Sequence, residues 1–241
     1  MIRIVSTVGA AALVLAALTG CSEPAPSAPA AAPAASEPAA APATTPTADP
    51  LKPVAADPAA VEWAASMFPV FDTITQTGSG TGSFTLPAGV TAGSFALACG
   101  DENTVASVLV NGEDGSQTMG GRGGLGPEFS GTFGIEPNAP AAVVLAIESE
   151  STWTLTIRPI STLPGLATAG YDYGAYLYTA ATDKPVQLKA RSNDMLLRQY
   201  TDSVIAFVTP DGTSEGAAGT LMGTPSLVTV STPDEWTVAV G

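Results

Sequence analysis

The hydrophobic pattern divides the chain into four stretches. From residue 4 to residue 18 it is almost continuously apolar, behind one basic residue, Arg3. From 21 to 57 there is no periodicity, only Ala and Pro with scattered polar residues. Val61, Ala64, Ala65 and Phe68 then recur at helical spacing. Asp57-Pro58 before them reads as an N-cap followed by proline at the first helical position, and Pro69 ends the run. The spacing predicts a short helical lead-in over 58–69, with Trp63 and Phe68 docking on the body. From residue 70 onward, short segments alternate or run apolar between Gly, Pro and Asp, which is the pattern of β-strands.

The strand pattern occurs twice. The first copy has strands expected at 73–77, 83–86, 94–98 and 104–110, then the turn Asp114-Gly115. It continues with Ser130-Gly131-Thr132-Phe133, an aliphatic segment at 142–147 and a Trp153-led segment ending at Ile157. The second has strands expected at 171–179, 186–190, 195–200 and 203–208, then Asp211-Gly212. It continues with Ala218-Gly219-Thr220-Leu221, an aliphatic segment at 227–230 and a Trp236-led segment ending at Val240. The shared order (strand, Asp-Gly turn, Gly-Thr strand, aliphatic strand, Trp-led strand) points to an internal repeat. The second copy is the shorter because it lacks the stretch from Met119 to Pro127, read as a surface loop. The expected fold is all-β: two tandem small sandwich units, Ig-like or jelly-roll-like, at 70–162 and 163–241.

Composition agrees with strands and turns. Only 12% of the 241 residues are charged, while Gly (25) and Pro (21) are frequent. A formal charge of −14 argues against nucleic acid as a partner, because a phosphate backbone must be neutralised by Lys and Arg. The chain has no histidine, which removes Ser-His and Cys-His catalytic pairs and His-ligated zinc together. No catalytic residue, metal or cofactor is assigned.

The first apolar run is too short and too alanine-rich for a stable membrane-spanning helix. It ends in Leu18-Thr19-Gly20-Cys21, a small residue followed by cysteine. This stretch resembles the lipoprotein signal of bacteria, and the composition behind it is similar to surface lipoproteins of high-GC Gram-positive bacteria. The resemblance covers residues 1–21. It implies a signal peptide over 1–20, removed to leave Cys21 as first residue, with a thioether-linked diacylglycerol and an acyl chain on its amino group. The protein would then sit on the outer face of the bacterial cytoplasmic membrane, held through acylated Cys21. Residues 21–57 would be a disordered tether. At roughly 3.1 Å per residue in polyproline II, it could reach on the order of 100 Å. Thr44, Thr45 and Thr47 among its prolines resemble O-glycosylated stalk sequence. With Cys21 acylated, Cys99 has no disulfide partner and reads as a core thiol within an apolar run.

Several motifs suggest chemistry. Gly121-Arg122-Gly123-Gly124-Leu125-Gly126 matches the dinucleotide fingerprint in letters only, since Pro127 and a β-like segment follow where a helix must open. Glu148 and Glu150 would share one side of a strand, as the carboxylates of a glycoside hydrolase require. Calcium is another reading of such acidic pairs. Trp153 and Trp236 are either core residues or exposed sugar-stacking platforms. Tyr176 with Tyr178, and Lys189 with Arg191, would each share a face, together making a basic, tyrosine-bearing surface for a glycan or a protein. The expected function is therefore a lipid-anchored, non-enzymatic binding module of the cell envelope, taking a cell-wall glycan or an envelope protein. Its ligand-binding candidates are Tyr176, Tyr178, Lys189, Arg191, Trp153 and Trp236. An envelope hydrolase using carboxylates and a structural surface spacer are the alternatives.

Overall fold

The structure, a computed structural model, describes residues 54–101, 105–123, 128–191, 194–203, 205–208 and 216–241. Cys21, the tether and its threonines lie outside the described residues, as do Gly124, Leu125, Gly126, Asp211 and Gly212. None of the described helices is long and apolar enough to cross a membrane.

The first described element is helix α1 (Pro58–Met67). Asp57 caps it: its Oδ1 accepts the Ala59 amide at 2.8 Å, and Pro58 occupies the first turn. Eight strands follow: β1 (Ile74–Ser79), β2 (Gly82–Thr85), β3 (Gly93–Cys99), β4 (Ala106–Gly112), β5 (Gln117–Gly123), β6 (Glu128–Phe133), β7 (Ala142–Glu148) and β8 (Thr152–Arg158). A 3-10 turn, Ile160–Thr162, leads to eight more. These are β9 (Ala169–Tyr171), β10 (Gly174–Tyr178), β11 (Lys184–Ala190), β12 (Leu196–Tyr200), β13 (Ile205–Val208), β14 (Ala217–Leu221), β15 (Ser226–Ser231) and β16 (Glu235–Val240).

The strands form four antiparallel sheets, two to each sandwich. The first sandwich has orders β1-β8-β3-β6 and β2-β7-β4-β5, and the second has β9-β16-β11-β14 and β10-β15-β12-β13. Adding eight to each strand number of the first gives the second. Of the two sandwich types expected, this eight-stranded order is the jelly roll. The repeat therefore extends to every strand, but its alignment differs from the sequence reading in one place. The counterpart of β4 is β12, not the 203–208 segment, which becomes β13 and corresponds to β5. The Asp-Gly pairs do not correspond: Asp114-Gly115 joins β4 to β5, whereas Asp211-Gly212 comes after β13. The single strand expected over 171–179 is two strands in two sheets, broken where Asp172 takes a positive φ of 53°.

The described part of the loop expected from Met119, residues 119–123, is a strand, and Pro127 also lies outside the described residues. Gln117–Gly123 is strand β5, paired with β4. Its glycines are steric. A Cβ on Gly120 would lie 2.8 Å from Val110 Cγ2, one on Gly121 3.1 Å from the Phe95 ring, and one on Gly123 2.5 Å from the Phe129 ring. Phe95 and Phe129 meet edge to face at 6.4 Å and fill the space those side chains would need.

Each sandwich encloses one core. Leu97, Leu145, Ile147, Leu155 and Ile157 are central in the first, and Leu188, Leu197, Leu221, Val228 and Val230 in the second. A tryptophan closes the same corner of both. Trp153 Nε1 donates to Gly80 O at 2.8 Å, and Trp236 Nε1 donates to Asp172 O at 3.1 Å. Both acceptors are positive-φ residues in the turn that carries the chain from the first strand of their sandwich to the second, in the other sheet: Gly80 at 66° and Asp172 at 53°. Across the ladder Trp153 pairs with Gly78 and Trp236 with Gly170, where a side chain would strike the indole.

Replacing either tryptophan with phenylalanine keeps most of the apolar volume and removes the donor to a part-buried turn carbonyl. Trp236→Phe and Trp153→Phe should each cost about 0.5–1.5 kcal/mol of folding stability. Urea denaturation with both variants checks this, and a loss under about 0.5 kcal/mol would show that the indole N–H does not hold the turn.

Candidate functional site

A third cluster joins the sandwiches. Ala60 and Ala64 of α1, Ile160, Leu177, Tyr200 and Leu227 are all buried in it, with Trp63 and Phe68 against its edge in T-shaped contact at 5.9 Å. Leu177, Tyr200 and Leu227 lie on the outer face of the β10-β15-β12-β13 sheet, whose inner face carries Leu197, Val228 and Val230. That sheet is thus buried on both sides where α1 and the 3-10 turn cover it.

Beyond the cluster the same outer face forms the floor of a cleft of about 980 Å³. One wall comes from β5, β6 and the 134–140 segment of the first sandwich, and the other from the β9–β10 turn and Thr232-Pro233 of the second. The volume lies at the upper end of the usual range for ligand sites, which favour such junctions.

Polar side chains tie the walls together. Tyr173 is half-buried, and its hydroxyl shares a 2.7 Å hydrogen bond with Thr132 Oγ1. Ser130 Oγ donates to the Tyr173 carbonyl at 3.2 Å. Glu136 Oε1 accepts from Tyr200 OH at 2.8 Å and from Arg198 Nη1 at 2.9 Å. Burial pushes the Tyr173 phenol far above its ordinary range and raises that of Tyr200. The hydrogen bond to Tyr200, with Glu136 beside it, raises the Arg198 guanidinium. Magnitudes decide what fixes the cleft. The Arg198–Glu136 side chains are 38% and 47% exposed, and a pair so open to water contributes about 0–1 kcal/mol. Truncating one buried aliphatic residue such as Leu227 or Ile160 costs about 2–5 kcal/mol. The apolar junction therefore sets the cleft, and the ion pair trims one end of it.

The sequence candidates are distributed unevenly around this cleft. Trp153 and Trp236 are buried at 6% and 2% exposure, so the stacking-platform reading is corrected: they are core residues. Tyr176 and Tyr178 pack against the second core rather than facing a ligand. Tyr176 meets Trp236 edge-on at 5.8 Å, and burial pushes its phenol up to about 12. Lys189 and Arg191 are exposed, but they belong to the β9-β16-β11-β14 side of the sandwich, so the expected basic and tyrosine-bearing face does not form. They line a second hollow of about 350 Å³. Glu148 and Glu150 are exposed on the end of β7 and in the following turn, and line neither cavity. Glu148 accepts from Ser107 Oγ at 2.8 Å. Among the described residues no three carboxylates or thiols gather as a metal site. Cys99 is half-buried against the first core, and burial raises its thiol.

Sequence reasoning passed over Tyr171, Tyr173 and Glu136. Both tyrosines fall in the 171–179 segment, which reads from sequence as one strand. The turn at Asp172 places Tyr171 at the cleft rim, 49% exposed, and turns Tyr173 inward. Burial, and then the neighbouring Asp234 charge, raise the Asp172 carboxyl.

The Tyr173 phenol gives the junction an alkaline limit. With its folded pKa raised above the ordinary value of about 10, its contribution to stability is complete below that pH and lost as pH rises through the folded value. Stability should therefore fall as pH climbs above about 10. Tyr173→Phe should be weaker than the parent at neutral pH by about 0.5–1.5 kcal/mol, for loss of the Thr132 bond, yet fall less steeply above that limit. Denaturation midpoints across the alkaline range check both.

No protein-family model matches the chain, and no curated protein matches it.

Proposed function

We propose that this protein is a lipid-anchored, non-enzymatic binding module on the outer face of the bacterial cytoplasmic membrane, and that the cleft between its sandwiches seats the ligand. The anchoring rests on Leu18-Thr19-Gly20-Cys21, with diacylglycerol and a further acyl chain, palmitate among them, on Cys21. Two or three chains hold a protein on a bilayer where one gives only marginal binding. A cell-wall glycan or an envelope protein is the ligand.

The observation that supports binding is the cleft itself. Its walls come from two separately cored sandwiches, and its geometry is set by an apolar junction rather than by the ligand. A preformed recess loses less free energy to ordering when it is filled. Glu148 and Glu150 are exposed away from both cavities, so a hydrolase built on that pair would lack a recess beside it.

Two variants test the two halves of this reading. Ser231 is exposed on the cleft floor, so Ser231→Trp should fill the cleft while leaving the cores intact. In the unanchored Cys21→Ser chain, this substitution should lower retention on isolated envelope fractions roughly tenfold, equivalent to about 1.4 kcal/mol. Unchanged retention would favour the spacer instead. Cys21→Ser should move the protein from the detergent phase to the aqueous phase on cloud-point partitioning, and unaltered partitioning would reject the anchor.

A further inference from the structure

The two sandwiches share one frame, so positions matched by register show what the second copy has that the frame does not require. In the first sandwich Gly78 pairs with Trp153 and Ser79 with Thr152, while in the second Gly170 pairs with Trp236 and Tyr171 with Glu235. On the other side of the tryptophan strand, Ala98 pairs with Thr154 and Cys99 with Trp153; the counterparts are Lys189 with Thr237 and Ala190 with Trp236. Register thus equates Tyr171 with Ser79, Glu235 with Thr152, Lys189 with Ala98 and Arg191 with Gly100. One corner of the first sandwich carries four small neutral residues. The same corner of the second carries an aromatic ring, a carboxylate and two cations.

These four residues all line the hollow of about 350 Å³. Tyr171 also lines the main cleft, so it stands on the ridge between the two cavities with half its surface in water. Charge follows the same line. Six Lys and Arg occur in the described residues, and four of them (Arg122, Lys189, Arg191 and Arg198) line the cleft or the hollow. Five of the sixteen described carboxylates do so. The surface is therefore close to balanced here and strongly acidic elsewhere.

We infer that the cleft and the hollow form one track, bridged by Tyr171, for a sugar chain that carries occasional carboxylate groups. This rests on the cleft being the ligand seat and adds the ligand class and a second subsite. An exposed tyrosine ring offers a flat apolar face with a polar tip, which suits the face of a pyranose. Carboxylates and guanidinium groups close together can accept from and donate to neighbouring hydroxyls. Lys189 and Arg191 supply the attraction for an acid group. The five carboxylates on the track repel a densely charged polymer, so the charges on the ligand must be sparse. A protein partner would need an apolar pocket for a buried anchor, and this corner offers one ring among charged groups.

The test uses the full chain in detergent, with calorimetry against three probes. These are a hyaluronan octasaccharide, with a carboxylate on every second sugar; a neutral cello-oligosaccharide; and dextran sulfate. Hyaluronan should bind best, and its affinity should fall with salt. A variant restoring the first copy's corner, Tyr171→Ser with Lys189→Ala and Arg191→Gly, should weaken hyaluronan binding roughly tenfold or more and flatten the salt dependence. The first sandwich already folds with those residues at that register, and an unchanged urea midpoint confirms it for the second. Undiminished hyaluronan binding in that variant overturns the inference, as does tightest binding to dextran sulfate or equal binding of the neutral chain. If no sugar binds the parent while Ser231→Trp still abolishes envelope retention, the cleft reading stands, the sugar class is wrong and a protein partner takes its place.

Discussion

Burial of one sheet on both faces is the constraint from which the rest of this body follows. β15 is buried along Ser226, Leu227, Val228, Thr229 and Val230 without alternation. Val228 and Val230 face the second core, while Leu227 faces α1 and Ile160. Antiparallel sheets commonly leave one face to water. Here the outer face has an apolar half and a polar half. Leu177, Tyr200 and Leu227 seal the apolar half against α1, and Arg198, Thr229 and Ser231 line the other as the cleft floor. One sheet thereby completes a core, joins the two sandwiches and forms the floor of the cleft. Removing the helix or the 3-10 turn would expose buried leucines and leave the cleft walls without a common base.

The duplication explains why so much of the frame is repeated and so little of its rim. Trp153 and Trp236 each need a Cβ-less partner across the ladder and a carbonyl in a left-handed turn. Changing any of these three orphans a donor or forces a clash, so both copies retain them. The turn residue can still vary within those limits: Gly80 in one copy and Asp172 in the other, since Asp tolerates positive φ better than most side chains. Rim positions carry no such penalty. Ser79 against Tyr171, or Ala98 against Lys189, alters neither core. Differences between two copies of one frame therefore fall where stability is indifferent, and those are the positions a ligand can shape.

The sequence carried the strands better than the site. Alternation and the Trp-led final strands located most strands of both sandwiches, because a one-sided buried strand records its burial every second residue. Two elements escaped for physical reasons. β5 reads Met119-Gly120-Gly121-Arg122-Gly123, and glycine normally marks a loop. Its glycines are dictated by Phe95 and Phe129, which sit in other strands and leave no mark on the local pattern. The break at Asp172 was hidden because a single residue with positive φ has no periodic signature. That break misdirected the site reading: it sends Tyr176 and Tyr178 into a core and leaves Tyr171 on the rim. Lys189 and Arg191 pair in the sequence by charge and by strand alternation, and the structure places both on one hollow.

On the proposed reading an acidic protein takes an acidic ligand, and the distribution of its charges allows that. With 22 Asp and Glu against 8 Lys and Arg, the far field is negative and slows the approach of any anion. Charges more than about 8–10 Å away are largely screened at physiological salt, so at contact only nearby groups matter. At that range the track presents four cations beside five carboxylates. Such a surface discriminates by charge spacing rather than by total charge. A ligand whose acid groups fall beside Lys189 and Arg191, and whose hydroxyls meet the carboxylates, gains at every contact. One charged throughout meets repulsion at Glu235, Asp234 and Asp172. The negative body then acts as a filter against polyanions, and selectivity comes from local spacing along the track rather than from net attraction.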